Sequence, residues 1–135
     1  MADLRYALEI GGAGVAVVGP RAPGTAAPGV AAPTGVVRFE PAWAAFEAGA
    51  IATGRAGAAR ARLAPLFATS RHLEELSTEP LPRPQPAARS TADLVYAQLG
   101  AIAAAEGLVG APVLLAVSSA YTLEELQLLR HLHVH

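Results

Sequence analysis

The chain has 135 residues, enough for one domain with a hydrophobic core. Its ten cations nearly balance its eleven acidic residues, so its charge gives no case for nucleic-acid binding. The absence of cysteine excludes disulfides and thiolate chemistry. All ten cations are arginine, which is typical of a GC-rich bacterial genome. Met1 and the residues after it lack the pattern of a signal peptide, so we expect a cytoplasmic protein.

The first part of the chain predicts a β-hairpin. Residues 4–10 and 15–18 are short apolar runs, and the small residues 11–14 join them. Residues 19–34 are rich in proline, glycine and alanine without an apolar period, so they predict a loop. Residues 35–39 predict a third strand.

The middle of the chain predicts two short helices, over residues 41–48 and 55–63. Trp43 and Phe46 are three residues apart, the spacing of a core or docking face on a helix, and Pro65 ends the second helix. Residues 71–76 predict one further helical turn. Residues 78–88 contain four prolines and predict an extended connection.

The last third has clearer boundaries. Ser90 and Asp93 have the spacing of a capping box, and an apolar helical face follows it at Leu94, Val95, Leu99 and Ile102. Residues 113–117 are a continuous apolar run, which predicts a strand buried on both faces. Thr122 and Glu125 form a second capping box that opens a final helix.

This order of elements predicts a single α/β domain over residues 1–135. Its mixed sheet would begin with an antiparallel hairpin and receive a buried parallel strand after the helices. Residues 97–121 carry one charge, but Gly107, Gly110 and Pro112 divide that run into a helix and a strand. We therefore expect no membrane span.

The glycine-rich tip of the hairpin is the first candidate site. Backbone N–H groups exposed at such a turn can hold a phosphate, which makes Gly11, Gly12, Ala13 and Gly14 candidate phosphate-binding residues. Glu9 precedes the tip and alternates with Leu8 and Ile10, so its side chain should point away from theirs. It is a candidate for a metal or a water, and an ordinary solvated strand residue is the alternative.

Histidines provide the second candidate site. His131, His133 and His135 would share one face of a strand, and imidazole is the commonest ligand of transition metals. No carboxylate accompanies them, and terminal residues are often mobile, so an incidental run of histidines is the alternative. His72 stands alone, and we expect it at the surface or half-buried.

Four segments, in this order, resemble the start of the actin-like ATPase superfamily, in its DnaK-type heat-shock chaperone branch. Residues 7–15 stand where that family has its first phosphate hairpin, typically I-D-L-G-T-T-N-S. Residues 32–39 resemble its T-P-S-x-V-x-F strand, and residues 54–65 its G-x-x-A-x-x-x-x-x-x-x-P segment. Residues 113–122 resemble its V-I-T-V-P-A-x-F strand and turn. The resemblance implies a ribonuclease H-like, actin-like ATPase lobe.

The resemblance also implies roles for residues of the hairpin. In the family the hairpin holds ATP or ADP with Mg²⁺, a strand aspartate organises metal and water, and a lysine orients the attacking water. Gly11 matches the hairpin glycine, whereas Glu9 replaces the aspartate and would shift metal geometry by about an ångström. Gly12 and Ala13 replace hydroxyl residues, and the lysine position falls near Leu73.

Three functions remain open from the sequence. The first is a degenerate or truncated chaperone-like lobe without ATPase activity, which would be a noncatalytic interaction module. Its apolar surface would be covered by a protein partner or by a homo-oligomer. The second is a nucleotide-binding protein that completes an ATP cleft with a second chain. The third is a small metal-binding domain that uses the C-terminal histidines.

Overall fold

The computed structural model describes residues 6–19, 36–47, 49–85, 87–108, 113–117 and 120–131. The predicted loop over residues 19–34 lies outside these ranges, except for Gly19, which ends a strand. In chain order the strands are β1 (Tyr6–Gly11), β2 (Gly14–Gly19), β3 (Val36–Pro41), β4 (Ala44–Glu47), β5 (Ala50–Thr53), β6 (Ala68–Thr69), β7 (Pro80–Gln85), β8 (Ala88–Ser90) and β9 (Val113–Val117). The helices are α1 (Gly54–Leu63), α2 (Thr91–Glu106) and α3 (Leu123–His131), and a 3-10 turn spans Pro65–Phe67.

The main sheet has four strands in the order β3-β2-β1-β9. β1 pairs antiparallel with β2, and β2 pairs antiparallel with β3. β9 is parallel to β1, with Leu115 beside Leu8. The α/β fold is therefore confirmed, with a mixed sheet that begins with an antiparallel hairpin and gains a parallel strand late in the chain.

The core lies on one face of this sheet. Leu8 and Ile10 of β1 and Val15 and Val17 of β2 are buried there, because alternate residues of a strand point to the same side. The same cluster contains Val95, Leu99 and Ile102 of α2 and Leu129 of α3. Leu94 joins a second cluster with Ala44 and Ala88, so all four predicted positions of the α2 face are buried.

The opposite side of the main sheet, here called the outer face, consists of Ala7, Glu9, Ala16, Val18, Phe39, Leu114 and Ala116. These residues alternate with the core residues, and the strand register aligns them across the sheet. Each is half-buried or exposed, and none belongs to either core cluster. The described part of the chain therefore covers one face of the sheet and leaves the other open.

The predicted helix over residues 41–48 is wrong. Pro41 ends β3, and residues 44–47 form β4, which pairs antiparallel with β5 and β6 in a separate three-stranded sheet. Gly49 has a φ of +83° in the turn between β4 and β5, a conformation that glycine adopts without strain. The hairpin supplies the backbone partners of β4, and these outweigh the helical spacing of Trp43 and Phe46.

The predicted double burial of the 113–117 strand is also wrong. β9 lies at an end of the four-stranded sheet, and Leu114 and Leu115 are 58% and 42% exposed. A continuous apolar run is typical of a central parallel strand, but β9 has a described neighbour on one side only. The strand is parallel, as expected, but it lies at the edge of the sheet and not in its centre.

The boundaries of α2 and the start of α3 follow local capping. Ser90 Oγ accepts a hydrogen bond from the Asp93 backbone N–H, 3.4 Å between N and O, and Gly107 ends α2 in the left-handed conformation. Thr122 and Glu125 bond each other reciprocally, so the second capping box is confirmed at α3. No helix in the described ranges is both long enough and apolar enough to cross a bilayer.

Candidate functional site

The tip of the hairpin is held by the chain that follows β3. Gly11 pairs with Gly14, and the Ala42 N–H donates to the Ala13 carbonyl at 2.9 Å. Gly14 has a φ of +152°, and a Cβ there would collide with the Glu40 carbonyl oxygen. Glycine is required at position 14 by this close approach of β3, independently of any ligand.

Glu9 lies on the outer face, as its alternation with Leu8 and Ile10 predicted. Its neighbours across the sheet are Ala16 on β2 and Ala116 on β9, neither of which offers a charged group. Among the described residues, no three histidine, aspartate or glutamate side chains are grouped as a metal site would need. A role of Glu9 in holding metal or water stays a prediction.

A second carboxylate, which the sequence did not indicate, lies at the hairpin tip. The Glu74 side chain packs against Gly12, where a Cβ would overlap it. Arg71 approaches Glu74 with 3.8 Å between Nε and Oε2, and both side chains are more than half exposed. A phosphate at Gly12 would meet the negative charge of Glu74, because like charges repel at this range.

Residues 71–73, where the resemblance would place a lysine, offer the tip no unpaired cation. Leu73 is fully buried in the core, and His72 is fully buried beside it. The Arg71 guanidinium is directed to carboxylates, with 3.0 Å between Nη2 and Glu75 Oε1. Leu73 carries no charge and His72 is buried, so Arg71 is the exposed cation of this segment, and it is paired with Glu74 and Glu75.

The burial of His72 corrects the prediction of a surface or half-buried histidine. Its Nε2 lies 2.6 Å from Gln98 Oε1, and Gln98 Nε2 donates to the Pro41 carbonyl at 2.9 Å. Since the amide oxygen can only accept, His72 Nε2 carries the proton and donates. Burial lowers the pKa of His72, and the hydrogen bond to Gln98 opposes that shift.

Gln98 could have been found from the sequence. It is three residues after Val95 and four before Ile102, which places it on the apolar face of α2. A buried amide on such a face requires a polar partner, and His72 is that partner. No local signal in the sequence shows which residue supplies the partner, because the two are 26 positions apart.

Tyr121 holds the segment that contains His72 and Leu73 through a second hydrogen bond. Its hydroxyl donates to the Leu73 carbonyl, so the turn after residue 71 is tied to the start of α3. Burial raises the pKa of Tyr121 to about 12, and the charges of Glu125 and Glu74 act in the same direction. Tyr121 therefore remains a neutral donor throughout the physiological range.

The C-terminal histidines are only partly within the described chain. His131 is the last residue of α3, and His133 and His135 lie outside the described residues. The shared face that the prediction requires belongs to a strand, whereas the backbone at His131 is helical. A metal site at the three histidines stays a prediction.

The hairpin tip, Glu74, the His72–Gln98 pair and Tyr121 thus form one connected region at the end of the main sheet. Its hydrogen bonds join β3, the turn at residues 71–75, α2 and the start of α3. This arrangement holds the elements in place and gives the hairpin an acidic neighbour. No protein-family model, no curated protein and no solved structure matches the chain.

Proposed function

We propose that this chain is a noncatalytic lobe of the actin-like ATPase type that acts as a protein-interaction module through the free edge of β9. The sheet order β3-β2-β1-β9 supports the lobe, with its antiparallel hairpin followed by a parallel strand. The segments that resemble the chaperone branch fall on β1–β2, β3, α1 and β9 in this architecture.

The hairpin region supports a noncatalytic role. Phosphoryl transfer needs phosphate, metal and nucleophile to be positioned together, with cations that offset the developing charge. Glu74 occupies the side of the tip at Gly12, and Arg71 is paired with acidic neighbours. The described residues near the tip thus add negative charge where ATP hydrolysis requires positive charge.

The observation that carries the interaction role is the edge of β9. β9 is the last strand of the main sheet, and no described strand pairs with its free edge. Leu114 and Leu115 on this strand are substantially exposed. Natural sheets protect such edges with charge, proline, a bulge or a covering element. Residues 113–117 are all apolar and contain none of the protecting residue types. This edge is therefore suited to receive another strand.

A second copy of the chain fits this edge. In an antiparallel pair centred on Leu115, each Leu115 would lie opposite its counterpart, and each Leu114 would lie opposite Ala116. A large side chain then meets a small one on the outer face, and Val113 meets Val117 on the core face. The pairing is self-complementary, as a two-fold interface requires, and it would join both sheets into one.

The substitution Leu115→Lys tests this interface. It places two ammonium groups directly opposite each other in the paired form, which is unfavourable across a sheet. In the unpaired monomer the lysine side chain can reach water, because position 115 lies on an edge strand and Leu115 is 42% exposed. We expect the natural chain to sediment as a dimer and the variant as a folded monomer.

Leu63→Lys is the matched control, because Leu63 is 76% exposed on α1, away from β9. This variant should remain dimeric. A natural chain that is monomeric at all accessible concentrations would contradict pairing between copies. A dimer that survives Leu115→Lys would place the interface elsewhere.

A further inference from the structure

A groove separate from the hairpin and from β9 lies between the two smaller sheets and α2. It has a volume of about 480 Å³, within the range of sites that bind small ligands. Phe46 of β4, Leu81 of β7 and Leu94 of α2 line it and also pack together in the second core cluster. Leu94 is buried, so part of the groove lining belongs to the packed core.

One wall of the groove is apolar and exposed. Leu66 and Phe67 come from the 3-10 turn after α1, and they are 71% and 47% exposed. Pro65 begins this turn, and its ring restricts the backbone. Two large apolar side chains are thus presented to solvent by a short, constrained segment, where a ligand could contact both.

The rim of the groove is acidic. Glu75, Glu79 and Arg71 line it, which gives two carboxylates and one cation. Arg71 is already paired with Glu75, at 3.0 Å between Nη2 and Oε1. Glu79 has no ion pair among the described residues, although its backbone N–H donates to Ser77 Oγ. A cation bound at the rim would therefore find a free carboxylate at Glu79.

Short strands at the ends of both smaller sheets also line the groove. β6 pairs only with β4, and β7 pairs only with β8, within the part of the chain that is described. Ala68 and Thr69 of β6 and residues 80–82 of β7 contribute to the lining. Each strand has a side without a described partner, although Pro80 and Pro82 carry no N–H, so within residues 80–82 only the Leu81 N–H could donate to an extended chain.

We infer that this groove binds a short extended peptide in which an apolar side chain stands next to an arginine or lysine. The apolar residue would pack on Leu66, Phe67 and Leu81, and the cation would pair with Glu79. Thr91, which also lines the groove, makes no specific contribution, because its hydroxyl donates its one proton to the Glu75 carbonyl and accepts from the Ser77 N–H. The inference uses no residue of β9 and does not depend on the proposed interface.

Fluorescence anisotropy with two labelled leucine-rich peptides tests the inference. One carries a central arginine, and the other carries glutamate at the same place. We expect saturable binding of the arginine peptide and binding of the glutamate peptide at least about tenfold weaker, since the charge at Glu79 then repels the ligand. Glu79→Gln should remove most of this discrimination while leaving the apolar contribution.

Leu66→Ser should weaken the arginine peptide about tenfold through the loss of apolar contact. Leu63→Ser, an equally exposed change on α1 outside the groove lining, should leave the affinity unchanged. The inference is overturned if neither peptide saturates, or if both bind equally to the natural chain. It is also overturned if octylamine, which has an apolar chain and a cation but no peptide backbone, displaces the labelled peptide as well as unlabelled peptide does. The same holds if Leu66→Ser converts a dimer of the chain to a monomer, because Leu66 would then belong to an interface between copies.

Discussion

At the scale of the residue, His72 and Gln98 connect parts of the chain that are distant in sequence. The imidazole donates to the Gln98 amide oxygen, and the amide in turn donates to the end of β3. The histidine is buried without charge, and its Nδ1 has no hydrogen-bond partner among the described atoms. Protonation would place a charge in the core, which burial disfavours.

Acid should therefore weaken the fold through His72. The pKa of His72 is lowered in the folded state from its ordinary value of 6.5. As the pH falls below 6.5, His72 is therefore protonated in the unfolded chain while it is still neutral in the folded chain. The free energy of unfolding should fall with decreasing pH, by at most about 1.4 kcal/mol per unit from this group. The fall ends once the pH is below the folded-state pKa. Urea titrations at pH 7.5 and 5.5 measure the effect.

His72→Gln is the control, because carboxylates also titrate in acid and the variant retains a side chain that can bond Gln98. Its unfolding free energy should depend less steeply on pH than that of the natural chain. Equal slopes for the two proteins between pH 7.5 and 5.5 would show that His72 is not responsible.

At the scale of the element, the sequence predicted best where the signals are local. The α3 capping box and the apolar face of α2 depend on residues within one or two turns, and both appear in the structure. Of the α2 box only the Ser90 half forms, because the Asp93 carboxylate accepts from the Arg89 N–H. Two predictions failed because they depend on distant pairing. Residues 44–47 become a strand through β5 and β6, and the exposure of β9 depends on its place in the sheet order.

The packing of α1 on the three-stranded sheet of β4, β5 and β6 depends on Gly57, which is buried. A Cβ at this position would lie 2.7 Å from the Ala52 carbonyl oxygen and 2.9 Å from that of Trp43. Both obstacles are backbone atoms of the adjoining sheet region, so they cannot rotate away. Gly57→Ala should destabilise the protein by about 1–3 kcal/mol, despite the better helix propensity of alanine.

Urea unfolding of Gly57→Ala and Gly11→Ala measures this packing. A Cβ at Gly11 has no atom within 4 Å, so the second variant should be close to the natural chain in stability. Unchanged or increased stability of Gly57→Ala would mean that α1 does not approach the sheet as closely as described.

At the scale of the whole molecule, the candidate site was predicted in part. The hairpin, its glycine tip and the direction of Glu9 were expected from alternation and turn residues, and each is present. Glu74 at the tip, the His72–Gln98 pair and Tyr121 were not expected, because each of these contacts joins residues far apart along the chain. Sequence spacing identifies a turn and does not identify what packs against it.

The acidic neighbour at the tip predicts a negative result with nucleotide. Neither Mg-ATP nor Mg-ADP at millimolar concentration should raise the melting temperature of the chain. A ligand at a hundredfold excess over its Kd would stabilise the fold by about 2.7 kcal/mol, which a thermal-shift assay detects readily. A saturable, magnesium-dependent shift would support the alternative in which a second chain completes an ATP cleft.

The most direct measurement of the central claim is sedimentation of Leu115→Lys and Leu115→Glu, each alone and in an equimolar mixture. In a two-fold pair centred on this residue, like charges face each other in either variant alone, and opposite charges face each other in the mixture. We predict a monomer for each variant alone and a dimer for the mixture. Monomers in all three samples, from a natural chain that dimerises, would contradict pairing of β9 centred on Leu115.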